Sequence, residues 1–140
     1  MNNRVLLSSF SFLTVFLVFP FFSFAALMDE GMWKADPERI TVGSQIYPAQ
    51  LANLKRQGFS VIINNRPEGE EQTQPTNKTL QLEAESLGLD FYHIPISSLG
   101  INKENIDALL NALASTSGPV FAFCRSGARS KKLKNSLPSL

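Results

Sequence analysis

Short hydrophobic runs rich in β-branched and aromatic residues recur along the chain, and turn residues bound each run. This pattern is typical of buried strands. It predicts four strands, at residues 40–46, 59–65, 89–96 and 119–124. The second run, FSVIINN, has the strongest β-branched character and is predicted to lie inside the sheet.

The segments between these strands carry apolar residues at helical spacing. Residues 48–57 form the first predicted helix, with a proline in the first turn and Gly58 as its left-handed stop. Two more helices are indicated by apolar residues three or four positions apart: Leu80, Ala84 and Leu87 in one, and Ile106, Leu109, Leu110 and Leu113 in the other. Gly88 ends the second helix, and Asn102 can cap the third.

Strands and helices alternate regularly along the chain, beginning and ending with a strand. That order predicts one α/β domain with a mostly parallel central sheet and helices on its faces. In such sheets, reactive groups lie beyond the carboxyl ends of the strands. The single cysteine, Cys124, follows the last predicted strand directly.

The N-terminal region differs in composition from the rest of the chain. No charged residue occurs from Val5 to Met28, and this stretch follows Arg4. We expect residues 1–25 to be a cleaved signal peptide, because small residues end the apolar stretch. The alternative is an uncleaved anchor, since about 20 apolar residues span a bilayer. In both cases we expect residues 26–140 to form an exported domain. It would be periplasmic or secreted if residues 1–25 are cleaved, and held at the inner membrane if they are retained.

The remaining composition narrows the function classes. A net charge of +1 provides no basic field that favours nucleic acid. The sequence has no metal-ligand spacing of His, Cys, Asp and Glu, no dinucleotide-binding fingerprint and no Walker loop. We therefore expect no metal, no organic cofactor and no nucleic-acid partner, and membrane contact only through an uncleaved N-terminal segment.

Cys124 lies between a hydrophobic strand and a short loop, CRSGARS, made of small residues and arginine. Gly127 allows a positive φ, and such loops turn successive N–H groups inward to bind an anion. The same dipoles stabilise a thiolate, so we expect the pKa of Cys124 below its free value of about 8.5. Arg129 can fold back and bind two oxygens of a transferred group. These features predict covalent catalysis through Cys124, and the alternative is an inert buried cysteine beside solvated arginines.

The sequence resembles the phosphatase-like domain of beta-lactamase hydrolase-like proteins, a branch of the dual-specificity cysteine phosphatases. Three segments carry the resemblance: VGSQIYPAQLANLKRQGFSVIINNRPEGEE, GLDFYHIPI and FCRSGARS. It implies a three-layer sandwich that hydrolyses a small phosphorylated substrate or a phosphoprotein. It also implies Cys124 as the nucleophile, Arg129 as the phosphate ligand and Ser130 as an aid to thiolate departure. The phosphate would be cradled by four main-chain amides, those of Arg125, Ser126, Gly127 and Ala128.

The loop after Cys124 departs from the family pattern in length. Four residues separate Cys124 from Arg129, whereas most enzymes of the superfamily have five. The shorter loop resembles that of rhodanese-type sulfurtransferases, which hold a persulfide. The alternative activity is therefore sulfur transfer from a sulfur donor through a persulfide on Cys124.

The aspartate that usually protonates the leaving group has no counterpart in residues 97–100, which read SSLG. The candidate substitutes are Glu70 and Glu71, or Glu68 beside them, if the polar loop after the second strand folds over the site. A third interpretation is a C-terminally truncated, vestigial domain that binds anions without catalysis. It is based on the missing acid and on a C-terminal segment too short for a full helix.

Two further residues are expected near the carboxyl edge of the sheet. Arg66 follows the second strand directly and is predicted as a second anion contact. His93, the single histidine, shares one face of the third strand with Phe91. This placement predicts a structural histidine and not a catalytic base.

Overall fold

The computed structural model describes residues 36–137. Its sheet contains four strands: β1 Ile40–Gly43, β2 Val61–Asn64, β3 Asp90–His93 and β4 Val120–Phe123. They lie in the order β1-β4-β2-β3, and all three pairings are parallel. The predicted mostly parallel sheet is confirmed. Each strand is shorter than predicted, although beyond β3 the Ile94 and Ile96 N–H groups still donate to the Asn64 and Asn65 carbonyls.

Four helices connect or follow the strands: α1 Pro48–Arg56, α2 Asn77–Ser86, α3 Lys103–Ala114 and α4 Ala128–Lys134. Gly58 and Gly88 follow α1 and α2 with φ of 93° and 67°, so both predicted left-handed stops are confirmed. Asn102 caps α3 through a hydrogen bond that its side chain accepts from the Asn105 N–H. A single turn of 3-10 helix at Pro37–Arg39 precedes β1.

The two faces of the sheet bury separate hydrophobic clusters, which confirms the three-layer sandwich. Side chains from α3 and α4 pack on one face, in a cluster that includes Ile40, Val61, Ile63, Leu109, Leu113, Val120 and Leu133. Side chains from α1 and α2 pack on the other, with Leu51, Leu54, Ile62, Leu80, Ala84 and Phe123. Alternation along β2 and β4 sends successive side chains to opposite faces, and both strands are covered on both sides.

The last helix, α4, has only seven residues, as the short segment after Arg129 predicted. Leu133 and Leu137 are both buried in the same cluster as Val120. Tertiary burial therefore stabilises a helix that is too short to be stable on its own.

The predicted signal peptide or anchor, residues 1–25, lies outside the described residues. Between residues 36 and 137, no helix is long and apolar enough to cross a bilayer.

Candidate active site

Cys124 follows β4, an interior strand with neighbours on both sides. The backbone around it is tied to both neighbouring segments. The Asn65 N–H donates to the Phe123 carbonyl at 2.7 Å, and the Gln45 N–H donates to the Arg125 carbonyl at 3.2 Å. The cysteine is 1% exposed. The parallel topology therefore fixes the sulfur at the carboxyl edge of the sheet, where the sequence predicted it.

Gly127 closes the loop around the sulfur. Its φ is 88°, a left-handed conformation that other residues rarely adopt, and its N–H donates to Cys124 Sγ at 3.1 Å. A Cβ atom at this position would lie 3.1 Å from the Gly43 carbonyl oxygen. Both the backbone angle and the close approach of β1 therefore require glycine.

Backbone N–H groups set the ionisation of Cys124. Burial raises the pKa of the thiol, but N–H groups directed at the sulfur lower it by more in sum, and the net pKa lies below the ordinary value. These groups belong to Ser130, Arg129, Ser126 and Gly127. The N–H groups of Ser126 and Gly127 were predicted from the sequence. Those of Arg129 and Ser130 were not, because they belong to the first turn of α4, which begins within the loop and directs its N–H groups at the sulfur.

Arg129 lies beside Cys124 and binds a carboxylate from another loop. Its Nη1 and Nη2 donate to the two carboxylate oxygens of Glu70, at 2.6 and 2.9 Å. Nη1 also donates to the Ile96 carbonyl at 3.3 Å. The Glu70 carboxylate, followed by the nearby charge and hydrogen bond of Cys124, raises the pKa of Arg129 against the opposing effect of burial.

Arg66, which was predicted as a second anion contact, is buried and has partners on the polar loop and on Gln45. Nε donates to Glu70 at 2.8 Å, Nη1 donates to Gln45 Oε1 at 2.8 Å, and Nη2 lies 2.9 Å from a carboxylate oxygen of Glu71. Its guanidinium therefore holds the polar loop in place. The Glu71 carboxylate also pairs with Arg125 Nη2 at 2.7 Å.

The carboxylates proposed as general acids are ionised or otherwise engaged. The hydrogen bond from Arg129 is the main cause that lowers the pKa of Glu70 to about 2, with burial opposing and Arg66 reinforcing the shift. A hydrogen bond with Arg66 likewise lowers the pKa of Glu71. Glu68 accepts the Asn77 N–H at 3.0 Å and caps α2. In this arrangement neither Glu70 nor Glu71 holds a proton to donate near neutral pH, contrary to the expectation from sequence.

Ser130 and His93 complete the predicted set. Ser130 is buried, its N–H points at the sulfur, and its hydroxyl has no hydrogen-bond partner among residues 36–137. His93 Nε2 lies 2.9 Å from the Arg66 carbonyl oxygen. The histidine thus contacts the backbone of the polar loop, in agreement with a structural role.

Three amide side chains that support the site were not singled out from sequence. Asn64 Oδ1 accepts the Arg66 N–H at 2.9 Å, and Asn65 Nδ2 donates to the Ile94 carbonyl at 2.9 Å. Gln45 binds Arg66, as described above. The signal for the first two was available, because two buried asparagines directly after a β-branched strand need specific partners.

An open cavity of about 480 Å³ flanks the outer side of the Cys124 loop. It is lined by Val42, Gly43, Ser44, Ser126, Gly127, Ala128 and Lys131. The sulfur is not part of this lining, so the cavity adjoins the anion loop without opening onto the nucleophile.

Within the described part of the chain, no three side chains among His, Cys, Asp and Glu lie close enough together to hold a metal ion.

The fold and the Cys124 loop together define a cysteine-phosphatase-like α/β domain. Residues 34–137 match the family described as "Beta-lactamase hydrolase-like protein, phosphatase-like domain", and the chain belongs to this family. It is 41% identical over 96 residues to a beta-lactamase hydrolase-like protein of Agrobacterium fabrum and 36% identical to one of Xylella fastidiosa. Each match covers 69% of this chain and 22% of the relative, so the chain spans about a fifth of the length of these relatives.

Solved structures show the same architecture. A candidate phosphatase from Neisseria meningitidis aligns with a TM-score of 0.61 and 26% identity, over 71% of this chain and 75% of its own. A second candidate phosphatase, from Shewanella putrefaciens, has a TM-score of 0.60, 18% identity and coverage of 69% and 60%. The core catalytic domain of a PP-IP phosphatase from S. cerevisiae has a TM-score of 0.51, 20% identity and coverage of 69% and 57%. The last two support the fold alone.

Proposed function

We propose that this domain hydrolyses phosphate monoesters through a phosphocysteine on Cys124. The supporting observation is the convergence of several N–H groups on the sulfur at the end of β4, with Arg129 beside it. The N–H groups stabilise a thiolate and match the oxygens of a bound phosphoryl group. The guanidinium of Arg129 supplies a fixed positive charge for the same group.

The reaction has two displacements on phosphorus. The thiolate of Cys124 attacks, the S–P bond forms, and the P–O bond to the leaving alcohol breaks. The leaving oxygen departs as an alkoxide or phenoxide and takes its proton from water. A water molecule then attacks phosphorus and loses a proton to solvent, the S–P bond breaks, and inorganic phosphate and the thiolate are released. The buried Ser130 hydroxyl has no hydrogen-bond partner within residues 36–137, and it is suited to donate a hydrogen bond to the departing sulfur.

The paired state of Glu70 and Glu71 indicates a preference for substrates with good leaving groups. Without a protonated carboxyl group at the site, an aryl phosphate departs more readily than an alkyl phosphate. Small phosphorylated molecules and phosphoproteins both offer such esters. The leader predicted at residues 1–25 would place this activity outside the cytoplasm.

One experiment separates this proposal from its alternatives. The purified chain and Cys124→Ser are incubated with an aryl phosphate and, separately, with thiosulfate plus cyanide. We expect phosphate release from the wild type and a loss of roughly 10³-fold or more in the variant. Thiocyanate formation that depends on Cys124 would instead favour the sulfurtransferase alternative, which the four-residue loop supports. If the folded chain forms neither product, the non-catalytic interpretation stands.

The ionisation of the nucleophile has a direct assay. The rate of Cys124 alkylation by iodoacetamide is measured as a function of pH, because only the thiolate reacts. The lowered pKa of Cys124 predicts a midpoint below that of a free cysteine measured in the same way. A midpoint at or above that value would contradict the proposed nucleophile.

A further inference from the structure

The guanidinium of Arg129 binds a carboxylate through one of its edges and lies beside Cys124. A planar guanidinium has an end edge, formed by Nη1 and Nη2, and a side edge, formed by Nε and Nη2. Both nitrogens of the end edge donate to Glu70, and the negative charge of Cys124 acts on the same guanidinium group. The carboxylate therefore fixes the plane of the guanidinium relative to the sulfur.

A second arginine, Arg66, also binds Glu70. Arg66 Nε donates to the same oxygen of Glu70 that Arg129 Nη2 contacts, at 2.8 Å. Arg66 is buried and is bound at Nη1 by Gln45, so it cannot follow a movement of the loop tip. The chain of contacts thus runs from a rigid buried arginine through one carboxylate to the arginine beside the nucleophile.

We propose that Glu70 and Arg66 are positioning residues for Arg129, which hold its guanidinium in the orientation that receives the transferred phosphoryl group. This inference rests on the proposed function. It also gives a physical reason for the joint occurrence of the INNRPEGEE and CRSGARS segments in one sequence. The first segment supplies the support, and the second supplies the nucleophile and the arginine that is supported.

The opposite role for Glu70 would be a plug that occupies Arg129 until a substrate displaces it. The two roles predict changes of opposite sign when the carboxylate is neutralised. A plug competes with an anion, so its removal strengthens anion binding. A positioning carboxylate pre-orders the arginine, so its removal frees the side chain and weakens binding.

The experiment compares Glu70→Gln with Glu104→Gln, which removes a carboxylate charge from an exposed position in the first turn of α3; among the ion pairs of the described residues, Glu104 has none with Arg66, Arg125 or Arg129. Orthovanadate dissociation constants and aryl-phosphate kcat/KM are measured on folded full-length chains with checked thermal transitions. We expect Glu70→Gln to weaken vanadate binding and lower kcat/KM by about 10–100-fold. We expect Glu104→Gln to change either quantity by less than about threefold. Glu70→Asp, which restores the charge, should recover part of the loss.

A double-mutant cycle tests whether Glu70 acts through Arg129. In the Arg129→Lys background, Glu70→Gln should lower kcat/KM by less than about threefold, because the group it orients is already gone. Equal losses in both backgrounds would overturn the inference, as would tighter or unchanged vanadate binding by Glu70→Gln. If the wild-type chain shows neither Cys124-dependent phosphate release nor vanadate binding, both this inference and the proposed function fail. Wild-type activity with an unaffected Glu70→Gln variant overturns the inference alone.

Discussion

Two loops meet at the carboxyl edge of the sheet, and they are built from different parts of the chain. The loop from Cys124 to Ser130 acts mainly through its backbone, because its N–H groups converge on one sulfur. The loop that follows Arg66 acts through side chains, because Glu70 and Glu71 bind the guanidinium groups of Arg66, Arg125 and Arg129. One loop creates the anion site, and the other holds a charge in place beside it.

This difference determines how each loop tolerates change. A backbone site depends on φ angles and close contacts, so a glycine decides its shape. A side-chain network depends on the charge and length of its members, so a conservative amide substitution is enough to break it.

Among the side chains around Cys124, the largest effect is expected at Arg129, which belongs to one loop and binds Glu70 of the other. Arg129→Lys keeps the charge but loses the planar fork, both for Glu70 and for the phosphoryl group. We expect kcat/KM for an aryl phosphate to fall by roughly 10²–10³-fold. The matched control is Arg125→Lys, because Arg125 is 66% exposed and binds only Glu71 among the carboxylates of the polar loop. Arg125→Lys should lower kcat/KM by less than about fivefold.

Similar losses in the two variants would show that the site depends on total positive charge and not on the orientation of Arg129. A normal rate for Arg129→Lys would remove the main reason to assign this arginine to the phosphoryl group. Thermal transitions of both variants must match that of the wild type, since Arg129 also donates to the Ile96 carbonyl.

The backbone-built loop was largely predictable from sequence. A single cysteine after a hydrophobic strand, followed by a glycine and an arginine, has few structural solutions in a parallel α/β sheet. The position of Cys124, the inward N–H groups and the positive φ of Gly127 follow from these local signals. The contribution of the first N–H groups of α4 was missed, because the sequence does not show where in the loop a short helix begins.

The side-chain network was not predictable in the same way. Arg66 was expected to contact an anion because it follows β2, but its orientation depends on Gln45, far away in sequence. Glu70 and Glu71 were expected to donate protons, whereas their arginine partners keep them ionised. Burial and pairing of charged groups arise from tertiary contacts, which local sequence patterns do not encode.

A comparison of two glycines separates backbone strain from crowding. Gly127 and Gly69 both have positive φ, of 88° and 73°, but only at Gly127 would an added Cβ atom meet neighbours within 4 Å. Gly69→Ala should reduce the free energy of unfolding by about 1 kcal/mol, the cost of the left-handed conformation alone. Gly127→Ala should reduce the free energy of unfolding by about 2–3 kcal/mol, because the Gly43 carbonyl must also move.

Urea-induced unfolding measures both values, and iodoacetamide alkylation provides a second readout for Gly127→Ala. Displacement of the Gly127 N–H from the sulfur should raise the pKa of Cys124, so that alkylation shifts to higher pH than in the wild type. Gly69→Ala should leave the alkylation profile unchanged, because Gly69 lies in the other loop. Equal costs for the two alanine variants would show that Gly127 is not crowded by β1.

The smallest effect concerns the stability that Glu70 provides above acidic pH. Its pKa falls from 4.5 to about 2 on folding, so its contribution is complete above pH 4.5 and disappears as the pH falls toward 2. The shift corresponds to about 3 kcal/mol without screening, and solvent at the 31% exposed side chain reduces this to about 1–2 kcal/mol. Urea unfolding of the wild type and of Glu70→Gln, at pH 6 and at pH 3, measures this contribution to stability. The wild type should be more stable than Glu70→Gln at pH 6, and this difference in the free energy of unfolding should shrink by more than half at pH 3. A difference that does not change with pH would mean that the ion pairs of Glu70 do not stabilise the fold through charge.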